Sequence, residues 1–195
     1  MRATTAIILA AGLSARMEGR NKLLLPVGGK PMVQRCLDLT EQMPFSQCVL
    51  VTTAEVALQV ETGAEIVIHP APEAGQSGSV RLGVLAAEPG DSLLFLPGDQ
   101  PFLDTATLSA ILAQDDGAHI VYPVGSDGVP RSPVLFGARF REALLTLRGD
   151  EGGRQLRRRY PEACRAVEIA DERVLLDVDT WAEYERIHAP LFGGE

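Results

Sequence analysis

The hydrophobic positions of this chain alternate between short unbroken runs and longer stretches with helical spacing. Ile7-Ile8-Leu9-Ala10, Cys48-Val49-Leu50-Val51, Ile66-Val67-Ile68 and Leu93-Leu94-Phe95-Leu96 are apolar on successive residues and too brief for helices. Such runs predict strands buried on both faces. Between them, Met32, Val33, Cys36, Leu37 and Leu39 recur at helical spacing behind Pro31, which suits a first helical turn. Helices are also predicted over 55–62, over 78–87 and from Asp104 to about Gln114, where D-T-A-T offers an N-cap. A strand follows at 119–122, then a Gly/Pro-rich stretch from 125 to 133, a strand at 134–136 and a helix at 139–147. A Gly-rich turn leads into a basic helix, and the pattern closes with a predicted strand at 173–178 and a helix at 180–188. Repeated strand–helix alternation of this kind predicts an α/β fold: a mostly parallel, Rossmann-like sheet covered on both faces, with ligands at the carboxyl ends of its strands.

Composition narrows the reading only modestly. At 195 residues, 46% hydrophobic and 23% charged, the chain suits one globular domain over 1–190, with the Gly-Gly-Glu end, 191–195, expected to fray. The opening apolar run is too short to span a bilayer and lacks the pattern of a cleaved leader, so a cytoplasmic protein without membrane contact is expected. Cys36, Cys48 and Cys164 are scattered and odd in number, which fits buried thiols better than a disulfide framework or a zinc site. The net charge of −8 argues against a nucleic-acid partner, so any polyanionic ligand must meet a local cluster of cations. Arg157-Arg158-Arg159 reads as a solvated helix face, because consecutive helical residues point in different directions.

The candidate chemistry lies where strands end. After the first strand, Leu9, Ala10, Ala11 and Gly12 leave the backbone open to a ligand, and Arg16 and Lys22 follow with the charge a triphosphate needs. Without the cations, Ala-Ala-Gly would serve equally as a tight strand-to-helix turn. The spelling is neither G-x-x-x-x-G-K-[ST] nor G-x-G-x-x-G, so the loop belongs to neither of the two commonest phosphate-binding types. Asp99 sits in Pro97-Gly98-Asp99-Gln100-Pro101 directly after an apolar run, either as a turn cap or as a carboxylate on a stiff support. Asp177 and Asp179 would share one side of the predicted 173–178 strand, although Asp179 or Thr180 could instead cap the helix at Trp181. Gly75-Gln76-Ser77-Gly78-Ser79-Val80-Arg81 begins a helix with hydroxyls and a cation, which could be a plain capped start or a ligand contact. His69 reads as a solvated or turn-bonding side chain, and His119 and His188 as structural.

Taken together, L-A-A-G-x-S-x-R-M with Asn21-Lys22-Leu23-Leu24, the 75–83 segment, P-G-D-Q-P, G-D-E-G-G-R at 149–154 and D-V-D-T at 177–180 resemble the molybdenum cofactor nucleotidyltransferases, in the same order. The cytidylyltransferase branch is the nearer match, because Ala11 stands where the guanylyl branch has glycine. The resemblance implies a three-layer α/β/α nucleotidyltransferase fold of the glycosyltransferase-A-like kind. It also implies CMP transfer from CTP to the phosphate of the molybdopterin (molybdenum) cofactor with release of pyrophosphate, and a recipient molybdoenzyme as a possible partner. By the same resemblance Asp99 and Asp179 would bind Mg2+, and Lys22, Arg16 and Asp99 would be catalytic. Leu9 to Gly12 would line the nucleotide, Ser79 would meet the base or ribose, and Arg81 would meet a phosphate or form an ion pair. Departures from the family pattern are Glu18 for glycine, His69 for asparagine, Gly78 for alanine and Ser132 for histidine. Guanylyl transfer, cytidylyl transfer to a sugar or polyol phosphate, and a cofactor-binding delivery chaperone are the alternatives.

Overall fold

The computed structural model describes residues 2–12, 17 and 19–191, with the side chains of the final helix described as far as residue 187. In chain order the elements are β1 (Thr4–Ala10), β2 (Pro26–Val27), β3 (Lys30–Pro31), α1 (Met32–Thr40), β4 (Gln47–Thr52), α2 (Ala54–Ala57), β5 (Glu65–Ile68), α3 (Gln76–Ala86), β6 (Ser92–Pro97), α4 (Thr105–Leu112), β7 (Ile120–Val124), β8 (Val134–Phe136), α5 (Arg141–Leu145), α6 (Gly153–Arg159), β9 (Cys164–Glu168) and α7 (Trp181–Leu191). Seven strands form one sheet in the order β5-β4-β1-β6-β8-β7-β9. All pairs are parallel except those of β8, which runs antiparallel to both β6 and β7. The α/β class and mostly parallel sheet expected from the pattern are therefore observed.

The unbroken apolar runs are explained by two cores, one on each face. Ile8, Leu50, Leu94 and Leu96 meet α1 and α4 through Val33, Leu37, Leu108 and Ile111. Their neighbours Ile7, Val49, Val51 and Phe95 point the opposite way, as strand alternation requires, and meet Val80 and Val84 of α3. Gly83 lets α3 approach β1 closely, since a Cβ there would collide with Ile7. A third, smaller cluster of Met17, Val27, Met32, Val178 and Tyr184 fastens the C-terminal segment to the β2–β3 hairpin and the start of α1. The Tyr184 hydroxyl donates to the Pro26 carbonyl at 2.9 Å, and Arg20 lies 4.4 Å from the Trp181 ring centre. This cluster brings residues 178–179 to the site.

Several elements depart from the pattern reading. The helix expected over 55–62 stops at Ala57, because the Gln34 amide takes both the N–H and the carbonyl of Glu61. The helix expected over 139–147 is a 3-10 turn followed by Arg141–Leu145. The strand expected at 173–178 is absent: Glu172–Leu175 is a 3-10 turn capped by Asp171, and Val174 and Leu175 are apolar because they plug the core. The outer neighbour of β7 is β9, an edge strand in which Arg165 and Glu168 bracket Ala166 and Val167. No helix among the described residues is long and apolar enough to cross a membrane. Arg16, expected on a triphosphate, lies outside the described residues, as do 192–195 of the 191–195 end expected to fray, whereas Leu191 is the last residue of α7.

Candidate active site

The parallel strands β1 and β6 deliver the first two site residues to the same end of the sheet. Gly98 donates to the Leu9 carbonyl at 3.0 Å, and a Cβ on it would press on Ala10 and Leu23 at 3.3 Å, so the P-G-D turn lies flat against the end of β1. Beyond the opening loop, the Asn21 side chain accepts from Leu23 N at 3.2 Å and starts a 3-10 turn over Lys22–Leu24. Leu23 is buried beneath that turn, which leaves Lys22 aimed at the strand ends. Its ammonium donates to Asp99 Oδ2 at 2.5 Å and to Asp179 Oδ1 at 2.7 Å.

Asp179 arrives by a different route from the one expected. Val178 donates its backbone N–H to the Asp99 carbonyl at 3.1 Å, one bond that lays the C-terminal segment across the end of β6. Gln100 adds a second tie, its amide donating to the Leu175 and Ser132 carbonyls at 3.1 and 3.2 Å. Helix α7 is capped without Asp179: Thr180 Oγ1 accepts from Glu183 N at 3.2 Å, and the Glu183 carboxylate accepts from the N–H groups of Asp179 and Thr180. That is a reciprocal capping box, so the helix does not require the Asp179 carboxylate.

Burial alone would pull Lys22 down, but Asp99 and Asp179 outweigh it and hold its ammonium above the ordinary lysine value. It is therefore fully cationic at neutral pH. Desolvation, then the Asp99 charge, pushes the neighbouring Asp177 carboxyl up to about 6 although its side chain keeps contact with solvent. Asp99 Oδ1 is buried and has no hydrogen-bond partner among the described residues. A buried carboxylate oxygen without a partner among the described residues, beside a half-exposed second carboxylate, suits a hard cation that takes its remaining ligands from phosphates and water. No group of three or more His, Cys, Asp or Glu capable of a closed metal cage occurs among the described residues.

These residues stand in the middle of a cleft of about 950 Å³. One wall is built from Leu9, Ala11 and Gly12 together with Gln76, Ser79 and Val80 of α3. The opposite wall includes Ser132 and Val134, and then Arg154, Arg157 and Arg158 of α6. The walls interlock at one edge, where Ser77 N donates to the Gly149 carbonyl at 3.0 Å. Gly75, with φ of 102°, leaves no room for a Cβ against Gly149.

Two expected ligand residues face elsewhere. Ala10 turns its side chain into the core, leaving at most its backbone for a ligand. Arg81 is not on the cleft wall: it lies two residues, about 200°, around α3 from Ser79. Its guanidinium instead donates to the Ser77 hydroxyl at 3.1 Å and the Leu147 carbonyl at 2.5 Å. The arginine run also reads differently in three dimensions. Arg157 and Arg158 join Arg154 on one face at i, i+3 and i+4, and only Arg159 of the run is off the cleft wall.

His69 is buried, and its Nδ1 accepts from Ala71 N at 3.1 Å, the turn-bonding role expected. A Cβ on Gly78 would come within 2.5 Å of His69 Nε2, so the two departures from the family pattern are one packing event. Gly78→Ala should therefore destabilise by ~1–2 kcal/mol, overpacking outweighing the helix-propensity gain. His69→Asn combined with Gly78→Ala should recover most of that loss in thermal melts; additive losses in the double variant would refute the coupling.

Residues 6–164 match the model of the MobA-like NTP transferase domain. Rv0371c from Mycobacterium tuberculosis is 29% identical, with a TM-score of 0.86 over 96% of this chain and 99% of that one. A second structure of the same protein, a complex with manganese, gives 26% identity and a TM-score of 0.82 over 97% and 100% of the two chains. A nucleotidyl transferase from Methanothermobacter is 26% identical, with a TM-score of 0.82 over 95% of this chain and 96% of that one. The bifunctional protein GlmU of Bacillus thuringiensis is 37% identical over 115 residues, which are 56% of this chain but 25% of GlmU. The chain thus spans about a quarter of the length of that curated relative.

Proposed function

The chain belongs to the MobA-like NTP transferase family, and on that premise we propose that it transfers CMP from CTP to the phosphate of the molybdopterin cofactor, releasing pyrophosphate. The observation that carries the reading is Lys22 held between Asp99 and Asp179 at the centre of a two-walled cleft. The α3 wall suits the nucleotide and the α6 wall the acceptor, so the α-phosphorus would lie between them. A phosphate monoester, with a second pKa of about 6, is largely ionised at neutral pH and needs no general base. Catalysis then reduces to alignment and charge neutralisation.

Lys22 supplies a fixed cation for the charge that accumulates on the leaving pyrophosphate. Asp99 and Asp179 would hold Mg2+ through the open Asp99 Oδ1 and the solvent-facing Asp179 carboxylate. When bound, the ion neutralises and orients the reacting phosphates. The manganese complex of Rv0371c supports a divalent cation in this part of the family.

The choice of CTP rests on Ala11, which is buried and lines the nucleotide wall. A methyl group there narrows the space for a bicyclic purine, and a misplaced base hydrogen bond costs about 1–3 kcal/mol, so at least tenfold preference for CTP over GTP is expected. The measurement is a competition with protein, magnesium, molybdopterin cofactor and equimolar CTP and GTP, the dinucleotide products being separated by mass. An excess of guanine product refutes the cytidylyl assignment and keeps the chemistry. No product from this acceptor, but product from a sugar or polyol phosphate, reassigns the substrate; cofactor binding without turnover leaves a carrier.

A further inference from the structure

The cleft extends well past the carboxylates, and its far wall carries more positive charge than one reacting phosphate requires. Arg157 is the distinctive member. Its guanidinium lies over the Tyr122 ring, 4.9 Å from the centroid, and it lines the cleft together with Arg154 and Arg158. The Nη1 atom of Arg157 is buried and has no hydrogen-bond partner among the described residues. A buried guanidinium N–H without an acceptor is costly unless a ligand supplies one. The Tyr122 ring beneath the guanidinium steadies it against the cleft wall, and a guanidinium is suited to bind an oxyanion through more than one N–H. Desolvation, only partly offset by Tyr122, pulls Arg157 below the usual arginine value, as expected for a cation waiting for a counter-charge.

The position of Arg157 separates it from the reacting centre. Tyr122 follows Val121, which pairs with Leu135 of β8, and Leu135 pairs with Leu94 of β6. Tyr122 therefore stands two strands, about 10 Å across the sheet, from the strand that leads to Asp99, and level with Phe95, four residues before it. A single phosphate at Lys22 and Asp99 does not reach both places.

We propose that Arg157, backed by Tyr122 and flanked by Arg154 and Arg158, is a second anion subsite that binds the end of the acceptor remote from its reacting phosphate. The acceptor is accordingly a molecule with two anionic groups at least about 10 Å apart. On the molybdenum cofactor, the oxo-metal dithiolate end is such a group. The assignment rests on the nucleotidyl-transfer reading for which end reacts, but the subsite itself is tested by binding alone.

The experiment is calorimetric titration of the full chain with glucose 1-phosphate and with glucose 1,6-bisphosphate, in magnesium, with and without saturating α,β-methylene CTP. In the wild type the bisphosphate is expected to bind at least ten times more tightly than the monophosphate. Arg157→Gln should abolish that advantage and leave affinity for the CTP analogue within twofold; Arg157→Lys, which keeps the charge but loses the fork, should retain part of it. Arg154→Gln serves as the reporter if Arg157→Gln does not melt as a folded protein, and it should reduce the advantage at least threefold. Equal binding of the two sugars by the wild type, or an undiminished bisphosphate advantage in a folded arginine variant, overturns the subsite. Failure of the wild type to bind the CTP analogue sinks the nucleotidyl-transfer reading instead, while the sugar titrations without nucleotide still decide the subsite.

Discussion

Asp99→Asn lowers metal-dependent turnover on the order of 10²-fold and leaves the fold intact. The amide has the shape of the carboxylate and can still accept from Lys22, so the short contact at the centre of the cleft need not collapse. What is lost is the negative charge, and with it the open Oδ1 position, where an asparagine would place either a neutral oxygen or an NH2 donor facing the cation. Lys22 keeps Asp179 as a counter-charge, so it is not stranded in the variant. Lys22 and Asp99 are both largely buried, so the weakened ion pair costs about 1–3 kcal/mol of stability, which the rest of the fold absorbs. Pyrophosphate release measured across a magnesium titration reads the effect, and circular dichroism melts establish folding. Activity within threefold of wild type would remove Asp99 from the metal site.

Much of this arrangement is legible in the sequence because the physics that sets it is local. Runs such as Leu93 to Leu96 are apolar on both faces because both faces are covered, and the turn that follows must hold whatever chemistry the strand delivers. Lys22 and Asp99 meet because the parallel strands β1 and β6 end on one side, and Asp179 joins them through the Val178 N–H bond to the Asp99 carbonyl. The misses have physical causes too. Edge strand β9 has only Ala166 and Val167 between Arg165 and Glu168, too short an apolar run to stand out, whereas Val174 and Leu175 imitate a strand while filling a gap beneath the site. Arg158 and Arg159 are exposed as the triplet suggests, but Arg157 is partly buried; its relation to Arg154, one helical turn earlier, is the signal that places it on the cleft face. Ser79 and Arg81 show the same rule in reverse, since residues two apart on a helix do not share a wall.

Asp179→Ser separates two roles that the sequence leaves together in D-V-D-T. Serine is a competent cap and removes the carboxylate, so a purely structural Asp179 would tolerate the change. The capping box instead belongs to Thr180 and Glu183, and the Asp179 side chain spends its oxygen on Lys22. The variant should therefore melt within a few degrees of wild type, since Asp179 is half exposed and an exposed ion pair contributes about 1 kcal/mol or less. Turnover should fall by at least tenfold, with a raised magnesium requirement, because one of the two carboxylates is gone while Asp99 remains. Thr180→Ala is the converse: it removes the hydroxyl that accepts from Glu183 N, costs about 1 kcal/mol of stability, and leaves the carboxylates in place. Its turnover per folded molecule should match wild type. If Asp179→Ser keeps normal magnesium-dependent activity, Asp179 is not a metal ligand, and Asp177, whose carboxyl lies close enough to Asp99 to be pushed up to about 6, becomes the second carboxylate to test.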